Sequence, residues 1–222
     1  MATNFPTSLD SLTNPSSGDS LSSPSHSAQH ANVNDAVEAL QAKVGVDGSA
    51  VTSSLDYKVA NQGLTLVKAQ TIGSGVSSVT VTDAFSSTFD NYKIVVYATA
   101  STNTTVRLAL SGVTGASDYD SKLMYVFTYA AGGWNEVLGA TTNVWNVGYL
   151  NGAAGSTANI EIYQPLGGGR VRFASQFSSY VAGVAFGPTV PTSGTASTGF
   201  TLSPGAGTLS GGIIRVYGYN DG

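Results

Sequence analysis

The sequence predicts a mostly β protein, in which an extended arm and one short helix precede an antiparallel β-sandwich of the jelly-roll kind. From Leu64 onward, apolar residues alternate with polar ones, and turns rich in glycine, serine, asparagine and proline separate the alternating segments. No long helical pattern interrupts them, so the sheets must be largely antiparallel. The expected parts are an anchoring arm (1–25), a coiled-coil helix (26–46), a neck or linker (47–63) and a β-sandwich head (64–222).

The arm combines many serines with Pro6, Pro15 and Pro24, a composition that blocks regular helix and offers too little apolar surface for a core. We expect it to be disordered alone. Four spaced apolar residues would anchor it on the surface of a partner protein. They are Phe5, Leu9, Leu12 and Leu21. Plain disorder without docking is the alternative.

The stretch HSAQHANVNDAVEALQAKV predicts one amphipathic helix with a coiled-coil seam. The seam residues recur at intervals of four, three, four, three and four, and they are His26, His30, Val33, Val37, Leu40 and Val44. Valine at both kinds of seam position favours three strands, so we expect the four apolar residues to form homotrimer contacts. The alternative is that this face packs on the chain's own β domain. Gly45 is the expected end of the helix.

After the turn at residues 45–48, Leu55 and Val59 are four apart and predict one further helical turn in the neck. The head then offers about eleven strand segments. They are LTLVKAQ, SSVTVTD, YKIVVYA, TTVRLAL, KLMYVFTYA, NVWNVGYL, ANIEIY, RVRFASQF, YVAGVAF, TGFTLSP and GGIIRVYGY. This number suits a two-sheet sandwich, with a closed barrel as the alternative.

Composition excludes several classes of function. The nine Lys and Arg are scattered in a chain of net charge −4, so nucleic acid is not an expected partner. The absence of cysteine removes disulfide and thiol chemistry. The N-terminal residues lack the basic and apolar regions of a signal peptide, and no run of 18 apolar residues occurs. We therefore expect a protein made in a cytoplasm, without membrane insertion.

Two clusters could bind metal ions. His26 and His30 both fall in the seam, so a parallel trimer would bring six imidazoles near its axis as a metal, anion or acid-responsive site. We expect instead that both lie before or within the first helical turn as solvated or capping residues, and that no metal binds. Asp118 and Asp120 could contribute two oxygens to calcium, although such pairs are usually solvated turns.

We expect no enzymatic activity and no cofactor. Neither His nor Cys occurs after residue 30, which excludes the common nucleophile–base pairs from the β portion. A polysaccharide depolymerase would need a pair of carboxylates, and no spacing singles out two of the candidates. These are Asp83, Asp90, Asp118, Asp120, Glu136 and Glu161.

Glycan binding is the more favoured activity, because aromatic side chains offer flat apolar faces with polar edges. The candidates are Trp134, Trp145, Tyr125, Tyr129, Tyr149 and Tyr180. Glycines before Trp134 predict an exposed turn, whereas Trp145 alternates with Val147 and is expected to be buried. Trp134 and Tyr129 are therefore the first expected glycan contacts.

Four segments carry a resemblance to a known class of proteins: FPTSLDSL, SPSHSAQHANVNDAVEALQAKVGVDGSAVTSSLDYKV, FSSTFDNYKIVV and GTLSGGIIRVYGY. They resemble minor structural proteins of tailed bacteriophages, especially those that infect actinobacteria. The resemblance spans most of the chain. It is most distinctive in the helix block, which precedes many different C-terminal modules in such proteins.

The resemblance implies a homotrimeric protein that is located in the virion. It assigns residues 1–25 to anchoring on other virion proteins, 27–44 to trimerisation and 64–222 to an exposed head. We expect a minor tail or fibre protein that attaches to a host-surface glycan. A capsid decoration protein, as a head fibre or cement, is the first alternative, and the polysaccharide depolymerase is the second.

Overall fold

The computed structural model describes residues 16–18, 20, 22, 25–115, 117–127, 133–152, 154–167, 169–179, 181–189 and 196–220. These residues form two compact units, which divide between Gln62 and Gly63. The expected anchors Phe5, Leu9, Leu12 and Leu21 lie outside the described residues, and so does Tyr129.

The first unit contains two helices, α1 (His26–Val44) and α2 (Leu55–Ala60). α1 ends two residues before the expected boundary at 46, because Gly45 adopts a φ of 89°. The Gly45 N–H donates to the Gln41 carbonyl at 2.8 Å. α2 supplies the further turn expected from Leu55 and Val59. In the described part of the chain, neither helix is long and apolar enough to cross a membrane.

The second unit holds thirteen described strands. The first seven are β1 (Leu64–Thr71), β2 (Ser74–Val76), β3 (Val79–Val81), β4 (Asn91–Ala100), β5 (Thr104–Leu110), β6 (Tyr119–Phe127) and β7 (Asn135–Thr142). The others are β8 (Trp145–Leu150), β9 (Ser156–Tyr163), β10 (Arg172–Ser178), β11 (Val181–Pro188), β12 (Phe200–Pro204) and β13 (Leu209–Tyr219).

Each of the eleven expected segments overlaps one of these strands, and the prediction of a mostly β, antiparallel protein is confirmed. Two strands, β2 and β7, were not predicted. β2 has only three residues, including a glycine. In β7 the apolar residues Val137 and Leu138 are adjacent, and Leu138 is 66% exposed, so its apolar residues show no alternation.

The strands form two antiparallel sheets. The large sheet has the order β1-β13-β4-β9-β10-β11-β6-β7, with β2 also paired to β13, and the small sheet has the order β3-β12-β5-β8. Alternate residues of β4 and β5 are buried, as in most of the central strands. The buried apolar residues of both sheets belong to one hydrophobic cluster. Burial of each large side chain in it contributes about 1.5–3 kcal/mol to folding.

The two ends of the second unit lie side by side. β1 pairs with β13 from Leu64↔Tyr219 to Thr71↔Ile213. The Asn220 N–H donates to the Gly63 carbonyl at 3.1 Å, and the Thr65 hydroxyl donates to Oδ1 of Asn220 at 3.2 Å. Hydrogen bonds therefore hold the first residues of the second unit against its last strand, β13.

Tyr119 is a buried residue whose hydroxyl is hydrogen-bonded within the protein. Its hydroxyl accepts a hydrogen bond from the Leu110 N–H at 2.8 Å, and its ring meets the buried Trp145 edge-on with centroids 5.2 Å apart. Trp145 Nε1 donates to the Pro188 carbonyl at 3.0 Å. Burial, opposed in part by the Leu110 hydrogen bond, raises the pKa of Tyr119 to about 12.

Replacing this hydroxyl tests the core. Tyr119→Phe leaves the buried Leu110 N–H without its acceptor, so we expect the free energy of unfolding in urea to fall by about 1–3 kcal/mol. Stability should also fall in the parent protein as the pH rises from 10 to about 12, where the unfolded chain ionises this phenol and the folded chain does not. Tyr119→Phe should show a smaller fall. Tyr163→Phe is the control, because Tyr163 is 41% exposed. Its free energy of unfolding should match that of the parent.

Candidate functional site

The seam of α1 is an unpartnered apolar stripe within its own unit. The exposed fractions are 51% for Val33, 47% for Val37, 52% for Leu40 and 45% for Val44. None of the residues of α1 is buried. Large apolar side chains at a/d spacing that remain half-exposed indicate a surface that another helix can cover.

A hydrogen-bonded corner fixes the chain where α1 leads to α2. The Ser54 side chain accepts from the Tyr57 N–H at 3.2 Å as the N-cap of α2, and it donates to the Val51 carbonyl at 2.8 Å. Oδ2 of Asp56 accepts from the Ser49 N–H at 2.9 Å. A Cβ on Gly45 would lie 2.9 Å from the Ser54 side chain, so this position admits only glycine without a shift. The motif GVDG…SSLD therefore encodes a defined turn.

The two histidines face each other at the start of α1. Nε2 of His26 and Nε2 of His30 are 3.0 Å apart, and the rings are nearly perpendicular, with centroids separated by 4.4 Å. Both residues are exposed. The spacing i, i+4 places them on one face of the helix, in line with Val33 and Val37 of the seam.

The face of the large sheet opposite the core carries an ordered set of side chains, which we call the outer face. Cross-strand pairing aligns one row of residues over all eight successive strands. From β1 to β7 the row reads Leu66, Tyr217, Lys93, Glu161, Ala174, Phe186, Lys122 and Leu138. Ala174 is the smallest member, so the row is lowest between Glu161 and Phe186.

A groove of about 340 Å³ lies over this low point. Its lining residues are Lys93, Asn159, Glu161, Ala174, Ser175, Gln176, Val184, Ala185 and Phe186. Four strands, β4, β9, β10 and β11, contribute them. Phe186 is 47% exposed and forms an apolar wall, while the amides of Asn159 and Gln176 face the solvent. We refer to this feature as the outer-face groove.

Glu161 joins the groove to a second concavity, which Asn91, Tyr163, Tyr219 and Asn220 line with it. Oε1 of Glu161 lies 3.6 Å from Nζ of Lys93, and Oε2 accepts a 2.5 Å hydrogen bond from the Tyr219 hydroxyl. Burial and this carboxylate raise the pKa of Tyr219 well above its ordinary value. Lys93 and Tyr219 therefore engage the two oxygens of Glu161, one each.

Of the two expected glycan contacts, only Trp134 lies within the described residues. Trp134 is 67% exposed just before β7, and Trp145 is fully buried, as their sequence contexts indicate. Trp134 does not line the outer-face groove. Tyr125 and Tyr149 pack against the core with ring centroids 5.3 Å apart.

The carboxylates proposed for catalysis or calcium binding are engaged separately. Glu136 forms an ion pair with Lys122 at 3.1 Å, and Oδ2 of Asp118 accepts from the Gly115 N–H at 2.6 Å in the turn before β6. Asp120 follows within β6. Of the six candidates, only Glu161 lines the outer-face groove.

The groove itself was not predicted from the sequence. Alternation identifies Lys93, Glu161 and Gln176 as outward-facing residues of their strands, but not which strands are neighbours. The signal for the groove in the sequence was Ala174, a small residue that alternation places on the outer face among larger ones.

Comparison with known proteins leaves the family of this chain open. No protein-family model matches it, and no curated protein matches it. The geometry of the α1 seam and of the outer face therefore carries the functional proposal.

Proposed function

We propose that the chain is a homotrimeric structural component of a bacteriophage virion, a minor tail or fibre protein whose β head attaches to a glycan of the host surface. The observation that carries this proposal is the half-exposed seam of α1, in a unit separate from the β unit. The resemblance of the helix block to phage structural proteins supports the assignment to a virion. The arm, residues 1–25, would bind other virion proteins.

Self-association would bury the apolar side chains that α1 leaves exposed. A helix of 19 residues without buried side chains is only marginally stable alone. Covering the exposed half of each valine or leucine contributes roughly 1 kcal/mol, and a trimer covers twelve such side chains, four from each of three helices. We propose three helices rather than two because Val33 places a β-branched side chain at a d position, in addition to Val37 and Val44 at the a positions. Leu40, at the other d position, is the residue that pairs of helices prefer.

The finer proposal for the head is a jelly roll. Eight strands form four antiparallel pairs nested by sequence: β1 with β13, β3 with β12, β4 with β9 and β5 with β8. Rolling up a ribbon of this kind places the pairs alternately in two sheets, with the two orders β1-β13-β4-β9 and β3-β12-β5-β8. The pairs β6-β7 and β10-β11 then extend the first sheet beyond β9.

Binding without cleavage is the role that we propose for the outer face. A charged pair, two amides and an aromatic wall match the hydroxyl pairs and apolar face of a sugar ring. Glu161, the carboxylate in the groove, is already shared between Lys93 and Tyr219. Such a carboxylate is suited to accepting hydrogen bonds from a ligand.

The trimer is tested by placing charges in the seam. The double variant Val37→Asp, Leu40→Asp should reduce the mass measured by light scattering from three chains to one, because burial of the carboxylates opposes association. Glu38→Gln, on the same helix beside the seam, should remain trimeric. A double variant that stays trimeric would assign α1 to packing within its own chain.

Location in the particle is tested by electron microscopy of virions labelled with antibodies against residues 64–222. We expect label at the tail, at a few trimers per particle. Label over the head at hundreds of copies would instead identify a capsid decoration protein, the first alternative. Virions without label would contradict the proposed virion role.

Glycan binding is tested by filling the groove. Ala174→Leu adds bulk on the outer face between Glu161 and Phe186, so it should abolish binding to a panel of bacterial surface polysaccharides without lowering stability. Gln176→Ala should weaken binding about tenfold through the loss of a hydrogen-bonding group. Thr157→Ala, on the same face of β9 outside the groove, is the matched control. Loss of binding only in Trp134→Ala would move the site to Trp134, and release of sugars from the polysaccharide would favour the depolymerase.

A further inference from the structure

We propose that His26 and His30 form a binding site for a divalent transition-metal ion of the zinc or nickel class, completed at the coil axis by the same residues of the partner chains. The inference rests on the proposed trimer, but it concerns a separate chemistry at the start of α1. The ion would hold the three helices together at their N-terminal end, before the first apolar seam residue, Val33.

The distance between the two imidazoles fits a shared cation. Two nitrogen ligands at about 2.0–2.1 Å from a zinc ion are about 2.9 Å apart at a right angle and about 3.3 Å apart at a tetrahedral angle. The two Nε2 atoms are 3.0 Å apart. Their separation therefore lies within the range that two ligands of one ion require, and the i, i+4 spacing puts both rings on the same face of the helix. In the metal-free chain, a proton on one Nε2 and a lone pair on the other would form a hydrogen bond.

The helix presents this pair on the seam rather than on its outer side. His30 precedes Val33 by three residues and His26 precedes His30 by four, which continues the a/d repeat. In a parallel trimer the seam residues of all three helices meet at the axis. The pair in each chain would then be directed to the same region, which would contain six imidazoles.

The chemistry of the site selects the class of ion. Neutral imidazole suits zinc, nickel, copper and iron, whereas calcium and magnesium prefer oxygen ligands. Among the described residues of one chain, no group of three or more His, Asp or Glu side chains is placed to hold a metal ion. We propose that partner chains or water supply the third and further ligands, since the described residues of one chain offer only these two.

The experiment is a titration of the full chain with zinc chloride at neutral pH, by calorimetry and by equilibrium dialysis, with light scattering on the same samples. We expect one zinc ion per three chains and a rise in the melting temperature of the trimer. His26→Gln and His30→Gln should each weaken binding by at least about tenfold. Asp35→Asn lies opposite the seam on the same helix and should bind zinc as the parent does. Magnesium should not compete.

The outcomes separate this site from the proposed trimer. A trimeric chain that binds no zinc, or binds it equally well without either histidine, overturns the metal site and leaves the trimer intact. A monomeric chain overturns the trimer and, with it, the axial site. Binding of one zinc per chain contradicts convergence at the axis. Loss of both trimer and zinc binding in the double variant Val37→Asp, Leu40→Asp supports the completed site.

Discussion

Burial of alternate side chains along the central strands is the constraint on which the rest of the second unit depends. In β4 and β9, Tyr92, Ile94, Ile160 and Ile162 point into the core, where they are fully buried. Because the side-chain period of a strand is two, their neighbours Lys93 and Glu161 must point outward. The register Lys93↔Glu161 then brings the two charged groups together. The core thus determines which side chains form the outer face.

The same rule explains what the sequence predicts and what it does not. Alternation in segments such as YKIVVYA and ANIEIY locates the strands and the faces of their residues, and Gly45 marks the end of α1. Strand order depends on pairings between distant segments, such as β4 with β13 and β9, which no local pattern specifies. The outer-face groove combines residues from four strands, so it follows only once that order is known. Trp134, whose exposure depends on its own turn, is predictable from its neighbours alone.

The two units gain their stability in different ways. Buried polar side chains of the second unit find hydrogen-bond partners within that unit. Tyr119, Trp145 and Ser175 each place their polar atoms within hydrogen-bonding distance of the backbone. The first unit has a fixed corner at Ser54 and Asp56, but its long helix buries none of its residues. The core of the second unit therefore stabilises that unit, whereas α1 has no burial of its own to stabilise it.

The hydrogen bond between Gly63 and Asn220 affects how the second unit would respond to a pulling force. Any tension applied through the first unit enters the second unit at β1, a strand at the end of the large sheet that is paired to β13 along its length. The hydrogen bonds from Asn220 to Gly63 and from Thr65 to Asn220 would bear the load first, ahead of the ladder behind them. Force applied to the chain before Gly63 would therefore act on this junction before it acted on the outer-face groove. The groove lies over β4, β9, β10 and β11, and β13 separates it from the loaded strand.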